Sequence, residues 1–285
     1  MEKVLLLGSN GFIGRNLESY FSSIDKYKLF APKRPELNLL DEAACEEYVR
    51  AIRPDRVIYA AVKLDSLSDT VKMFFNIYRQ RKNFGFLYNI GSGAEYDNRN
   101  YLPLMTEDYF GSHIPSDTYG LAKYIISREI QEGINNAVNF RVFAIYGKHE
   151  DYRRRFISNN ICRALCGKPV SINRDVLFDY IHVNDFCELL DQTFGASLHY
   201  KNYNLCTGKP VKLSSLANVI SQIMGIDHSI KPKTDGLGLE YSGSNGRLLK
   251  EIEGISFTTF ESGIKSLVSW YREQLQNKKI SCGDV

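Results

Sequence analysis

The 285-residue chain predicts an α/β fold, a doubly wound parallel sheet with a smaller, discontinuous C-terminal α/β domain. Short apolar runs alternate with amphipathic stretches through the first half, as strands joined by crossover helices do. A glycine-rich turn follows the first run directly. The alternation breaks down after Gly147 and resumes only briefly, so a second domain interrupts the first.

Val4–Leu7, Lys28–Ala31, Arg56–Ala61, Gly85–Ile90 and Asn139–Ala144 are each short, apolar or β-branched and bounded by Gly, Pro or polar residues. They read as buried strands. Phe12–Ser22 and Glu42–Ile52 carry apolar residues at helical spacing, and Asp41 is placed to cap the second. Such a sheet carries its binding loops at the carboxyl ends of its strands. Past Gly147 come the basic run Arg153-Arg154-Arg155, a helical pattern and the Gly167-Lys168-Pro169 turn. The chain is expected back at the sheet around Tyr180–Phe194 and Tyr203–Cys206. Residues 1–147 and 178–206 then form the nucleotide-binding domain, and 148–177 with 207–285 the substrate domain. Asn277–Val285 reads as a frayed polar tail.

Hydrophobic residues at 44% and charged residues at 24% fit a folded globular chain and exclude a disordered or fibrous one. A formal charge of +3 points to no nucleic-acid partner. No run approaches the roughly 18 apolar residues of a membrane span. The four-residue run Val4–Leu7 is too short for an export signal, so the expectation is a cytoplasmic protein. Six scattered cysteines suit reduced thiols in that setting. Cys162 and Cys166 stand at helical spacing, but no second Cys or His pair completes a zinc site. His113, His149, His182, His199 and His228 have no ligand partner at metal spacing either. No metal is expected, and His182 belongs to the segment joining the two domains.

In Gly8-Ser9-Asn10-Gly11-Phe12-Ile13-Gly14 the glycines are spaced three and three. Gly8 permits the tight turn and Gly11 a close approach to a pyrophosphate. Gly14 lets the helix pack on the strand with its N-terminus toward the phosphates. This is a Rossmann-type dinucleotide site. A carboxylate about 20 residues beyond the glycines normally accepts the ribose hydroxyls of NAD. That place holds Lys33 and Arg34 instead, which suit a 2′-phosphate. The pair favours NADP(H). NAD(H) is the alternative if both are solvated loop residues and Glu36 serves the ribose. Asn38, Leu39 and Asp41 are candidates for the adenine-side wall.

A lysine four residues after a tyrosine on a helix shares its face, and its ammonium favours the phenolate, lowering the tyrosine pKa toward the range of a general acid or base. Tyr59/Lys63, Tyr78/Lys82 and Tyr119/Lys123 all have this spacing, so context chooses among them. Tyr59 lies in a predicted strand and Tyr78 in an exposed, arginine-rich helix. Tyr119 opens a helix over Tyr119–Gln131, after a strand that ends in Gly91-Ser92-Gly93.

The glycine motif, Ser92 with Tyr96, Tyr119-Gly120-Leu121-Ala122-Lys123, Arg141 with Tyr146-Gly147, and Phe178-Asp179-Tyr180-Ile181-His182-Val183-Asn184-Asp185 together resemble the extended short-chain dehydrogenase/reductases, the NAD-dependent epimerase/dehydratase family. Nearly the whole chain is covered. Within the nucleotide-sugar branch it is most similar to the GDP-fucose synthase group. Pro35-Glu36-Leu37-Asn38-Leu39-Leu40-Asp41, Ala60-Ala61-Val62-Lys63 and Thr207-Gly208 carry that likeness. The resemblance implies a Ser92, Tyr119 and Lys123 triad. Ser92 would hydrogen-bond the sugar oxygen, Tyr119 pass the proton, and Lys123 bind the nicotinamide ribose. Ala60 and Ala61 would then line the cofactor, Lys63 and Tyr96 the substrate. A homodimer is expected on the same ground.

Departures from the family pattern narrow the chemistry. Gly93-Ala94 follow Ser92 where 4,6-dehydratases carry an Asp-Glu pair, so dehydration is not expected. The cysteine and histidine that epimerising reductases use fall at Ala94 and near Arg155. An arginine that meets the substrate diphosphate in many relatives is Phe178. Arg153, Arg154, Arg155 and Arg174 are the candidate replacements, Arg174 ahead of the others. The reading is an NADPH-dependent reductase of a nucleotide-linked 4-keto-6-deoxy sugar, for surface-polysaccharide precursors. The rivals are an NAD-dependent nucleotide-sugar 4-epimerase or dehydrogenase, and a non-catalytic NAD(P)-sensing protein.

Overall fold

The computed structural model describes residues 1–133, 136–226 and 230–285. In chain order the elements are β1 (Glu2–Leu7), α1 (Phe12–Ser22), β2 (Tyr27–Phe30), α2 (Glu42–Ile52), β3 (Arg56–Tyr59), α3 (Leu67–Tyr78) and β4 (Phe86–Ser92). They continue with α4 (Thr118–Glu132), β5 (Ala137–Val142), β6 (Ala144–Tyr146), α5 (Phe156–Leu165), β7 (Arg174–Asp175), β8 (Leu177–Phe178), β9 (Tyr180–His182) and α6 (Val183–Gly195). β10 (Asn202–Leu205), β11 (Val211–Lys212), α7 (Leu213–Met224), β12 (Thr234–Leu237), α8 (Gly246–Leu249) and α9 (Phe260–Gln276) complete the fold.

Six parallel strands form one sheet in the order β10-β5-β4-β3-β1-β2. The unbroken apolar run of β1 is explained by burial on both faces. Val4 and Leu6 point to one side, into a cluster with Leu17 and Phe21 of α1 and Phe186 and Leu190 of α6. Leu5 and Leu7 point to the other, against Cys45 and Val49 of α2, Phe74 and Ile77 of α3 and Ile126 and Ile130 of α4. α1 and α2 occupy the residues their spacing predicts, and the Asp41 side chain accepts the Ala44 N–H at 3.1 Å. A third cluster joins α5, α7 and α9 around Ile161, Leu216 and Tyr271.

Four expectations need correction. Tyr180–Phe194 does not return to the main sheet. β9 pairs with β6 in a sheet of two, and the rest is α6, packed on α1 and capped by His182, whose Nδ1 accepts the Asn184 N–H. Tyr78 is not exposed: its ring stacks on Phe74 inside the second cluster. The tail is not frayed, because Asp284 accepts from Tyr152 (2.7 Å) and Arg153 (3.4 Å) while Lys168 donates to the Cys282 carbonyl (2.8 Å). That docking brings the Cα atoms of Cys166 and Cys282 to 5.5 Å, and the two form a disulfide where reduced thiols were expected. Cys45, Cys162, Cys187 and Cys206 are free and buried. Among the described residues no three His, Cys, Asp or Glu side chains converge as a metal site, and no helix is long and apolar enough to cross a membrane. His228 lies outside the described residues.

Candidate active site

At the carboxyl end of β1, Gly8 adopts φ +91° with its backbone against β3's exit. A Cβ there would stand 2.6 Å from the Ala60 carbonyl carbon and the Ala61 nitrogen. A Cβ on Gly14 would meet the Gly8 oxygen at 2.1 Å, so this glycine seats α1 on the strand. Gly11 caps α1 without any side-chain acceptor for the first-turn N–H groups, which therefore remain available to an anion.

A cavity of about 300 Å³ opens here, lined by Gly8, Asn10, Gly11, Arg34, Asn38, Leu39, Ala60, Ala61 and Lys63 among others. Eight of these were expected to meet the cofactor. Lys63 was expected to meet the substrate, but it stands on this wall with its ammonium 2.6 Å from Asp69. Phe12, Ile13 and Gly14 lie in α1, Ile13 packing into the first cluster and Gly14 on the turn. Asp41 is spent on capping α2. The basic pair divides: Lys33 is held by Glu18 (2.6 Å) and by the Ser9 hydroxyl (3.1 Å), while Arg34 lines the cavity. Leu7, Ser9, Pro32, Leu37, Leu40, Val62 and Met73 complete the wall and were not anticipated as cofactor contacts.

Ser92 ends β4 and begins the 3-10 turn Gly93–Tyr96. Its hydroxyl accepts the Ala94 N–H at 3.2 Å and interacts with the phenols of Tyr119 and Tyr241. Asp117 caps α4 by accepting the Gly120 N–H (2.8 Å), which places Tyr119 in the first turn. Burial pushes the Tyr119 phenol above the ordinary tyrosine range; Ser92 and Arg155 act downward and Glu95 upward. Lys123 is 3% exposed, and its Nζ donates to the Ile90 carbonyl at 2.6 Å. Burial pulls this amine down to about 8, with Glu95 opposing. The expected lowering of the Tyr119 pKa by Lys123 is therefore not seen, because the ammonium is turned onto the strand.

Tyr96 does not face a substrate cleft. It is 1% exposed, and its hydroxyl donates to Asn204 (2.7 Å) and accepts from Arg141 (3.4 Å). Arg174 is exposed in β7, beside the glycines of the β12 segment. The second tyrosine at Ser92, Tyr241, was not anticipated. Its hydroxyl would stand 2.7 Å from a Cβ on Gly93, and its ring lies 4.9 Å from that of Tyr101. No motif marks it; only the return of the segment after β12 to Leu177 and Asp179 delivers it.

The model of the NAD dependent epimerase/dehydratase family matches residues 4–206, most of the chain, including the glycine turn, Ser92, Tyr119 and Lys123. The chain belongs to that family. Epimerase/dehydratase relatives of similar length include a GDP-L-colitose synthase of Yersinia pseudotuberculosis, 22% identical over 96% of this chain and 99% of that protein. A GDP-L-fucose synthase of Azorhizobium caulinodans is 24% identical over 79% of this chain and 81% of its own. The structure of a GDP-L-fucose synthetase from Naegleria fowleri bound to NADP superposes with a TM-score of 0.81. It is 18% identical, with 96% of this chain and 95% of that one covered.

Proposed function

We propose that the protein is an NADPH-dependent reductase of a nucleotide-linked 4-keto-6-deoxy sugar, serving surface-polysaccharide precursor synthesis. The observation that carries this reading is the placing of Ser92 at the carboxyl end of β4, its hydroxyl toward the Tyr119 phenol, in the same parallel sheet as the glycine turn that ends β1. The names of the GDP-sugar relatives support the substrate class. Ala94 after the serine supports reduction without epimerisation.

The residues at hand fit a dinucleotide. The uncapped start of α1 suits the pyrophosphate, and Arg34 on the wall suits a 2′-phosphate. The bound cofactor supplies the hydride. Ser92 orients the sugar carbonyl through its oxygen. Tyr119, kept in its acid form by burial, gives its proton to that oxygen as the carbon is reduced, so C=O becomes CH–OH. The phenolate then recovers a proton from solvent. Lys123 would hold the nicotinamide ribose of that cofactor.

The test is loss of NADPH absorbance against a panel of nucleotide-linked 4-keto-6-deoxy sugars, with NADH in parallel. Oxidation of NADPH by one sugar supports the reading; no oxidation with any of them rejects it. A second reading, an NAD-dependent 4-epimerase or dehydrogenase, is favoured by the Lys33–Glu18 pair, which leaves a single arginine for a 2′-phosphate. It predicts NAD released on denaturation and no net turnover of added NADPH.

A further inference from the structure

The strand end that carries Ser92 is held by one buried carboxylate. Glu95 closes the turn that Ser92 opens, and its Oε1 accepts the Ser92 N–H at 2.8 Å. Its Oε2 accepts Arg141 Nε at 2.6 Å and Asn139 Nδ2 at 3.0 Å. Glu95, Asn139 and Arg141 are all 0% exposed. The carboxylate lies directly over Gly91, where a Cβ would stand 2.4 Å from Oε1. Residue 91 therefore has room only for hydrogen, and the glycine and the glutamate are one feature.

Burying a carboxylate and a guanidinium costs several kcal/mol each unless both are fully hydrogen-bonded. Here they are. Arg141 also donates to Ser127 Oγ (2.8 Å), to Asn202 Oδ1 (2.9 Å) and to the Tyr96 hydroxyl (3.4 Å). Apolar residues of similar volume would hold the core together about as well. What they would not provide is a negative charge beneath the catalytic loop. Glu95 is the charged group that acts on the buried Lys123 amine. Arg141, reaching in from β5, is hydrogen-bonded to Glu95. Tyr96, Tyr119 and Tyr241 face the same carboxylate as neutral phenols, and Glu107 acts on Tyr96.

We propose that Glu95 is a positioning residue of this site, its carboxylate, itself held by Arg141 and Asn139, fixing the Ser92 backbone at the strand end. The proposal rests on the reading of Ser92, Tyr119 and Lys123 as the reacting group. It does not require any particular sugar.

Glu95→Gln would leave Arg141 as an unpaired buried charge, so the informative variant is Glu95→Leu combined with Arg141→Met, which removes both. The readout is hydrogen exchange of the Ser92 amide, followed by NMR. Exchange at Ser92 should speed at least tenfold in the folded double variant while the amides of β1 keep their protection. Unchanged protection of Ser92 in the folded variant overturns the proposal.

Should the double variant fail to fold, Glu95→Asp decides, since it keeps the charge but withdraws it from Ser92. Exchange of the Ser92 amide should then speed at least tenfold, and unchanged protection overturns the proposal. The Ser92 amide is read without substrate. Its failure is thus distinct from that of the reductase reading, which would show as a parent protein that oxidises no NADPH.

Discussion

The Lys123 ammonium donates to the Ile90 carbonyl at 2.6 Å, two residues before Ser92 on the same strand. Lys123 and Tyr119 share a face of α4 as their spacing requires, yet the charge is spent on the strand and the phenol keeps its proton. A resting acid at this position is what carbonyl reduction needs.

Tyr119→Phe removes that proton and nothing else. Turnover should fall by roughly 10²–10⁴-fold with cofactor affinity within about twofold of the parent. Steady-state rates together with NADPH titration by fluorescence check this, and retained turnover would remove Tyr119 from the mechanism.

Cofactor choice should depend on Arg34 much more than on Lys33, which Glu18 already holds. Arg34→Ala is expected to weaken NADPH by about 10–100-fold, the worth of a charge-assisted hydrogen bond, and to leave NADH nearly unchanged. Lys33→Ala should change either affinity only a few-fold. Equal losses for both cofactors in Arg34→Ala would dissociate this residue from the 2′-phosphate.

Glu150 is 6% exposed, and burial raises its carboxyl to about 8 although the Ser158 hydroxyl acts against the shift. The folded state thus binds a proton that the unfolded state has lost from about pH 4.3 upward. Its contribution to stability is complete below that pH and is lost as pH rises through about 8. Glu150→Gln should flatten this slope. Thermal midpoints across pH 5–9 test it, and parallel curves for parent and variant would contradict the assignment.

The Cys166–Cys282 bond spans 116 residues and fastens a tail otherwise held by Asp284. Cys282→Ser is expected to cost about 2–4 kcal/mol and to make stability insensitive to dithiothreitol, whereas the parent loses a similar amount on reduction. Urea unfolding with and without reductant measures both.

What could be read from the sequence was local. The Gly8–Gly14 turn, the two-faced run Val4–Leu7 and the Asp41 cap depend on neighbours within a few residues, and all three stand where expected. What escaped was set by distant partners. Lys33 is claimed by Glu18 from another element, Tyr96 is drawn into the core by Asn204, and the tail is docked by residues over a hundred positions away. The charge of Arg174 suits a phosphate, but nothing in its spacing reveals that β7 leaves it exposed.

Net hydride transfer to a sugar carbonyl is tested by following the hydride itself. The protein would be incubated with NADPH deuterated at C4 of the nicotinamide, on its transferable face, and a nucleotide-linked 4-keto-6-deoxy sugar. Mass spectrometry and NMR of the product would locate the label. One deuterium on the former carbonyl carbon and stoichiometric NADP are expected. A sugar product without deuterium, or an isomerised sugar with the NADPH unspent, would contradict it.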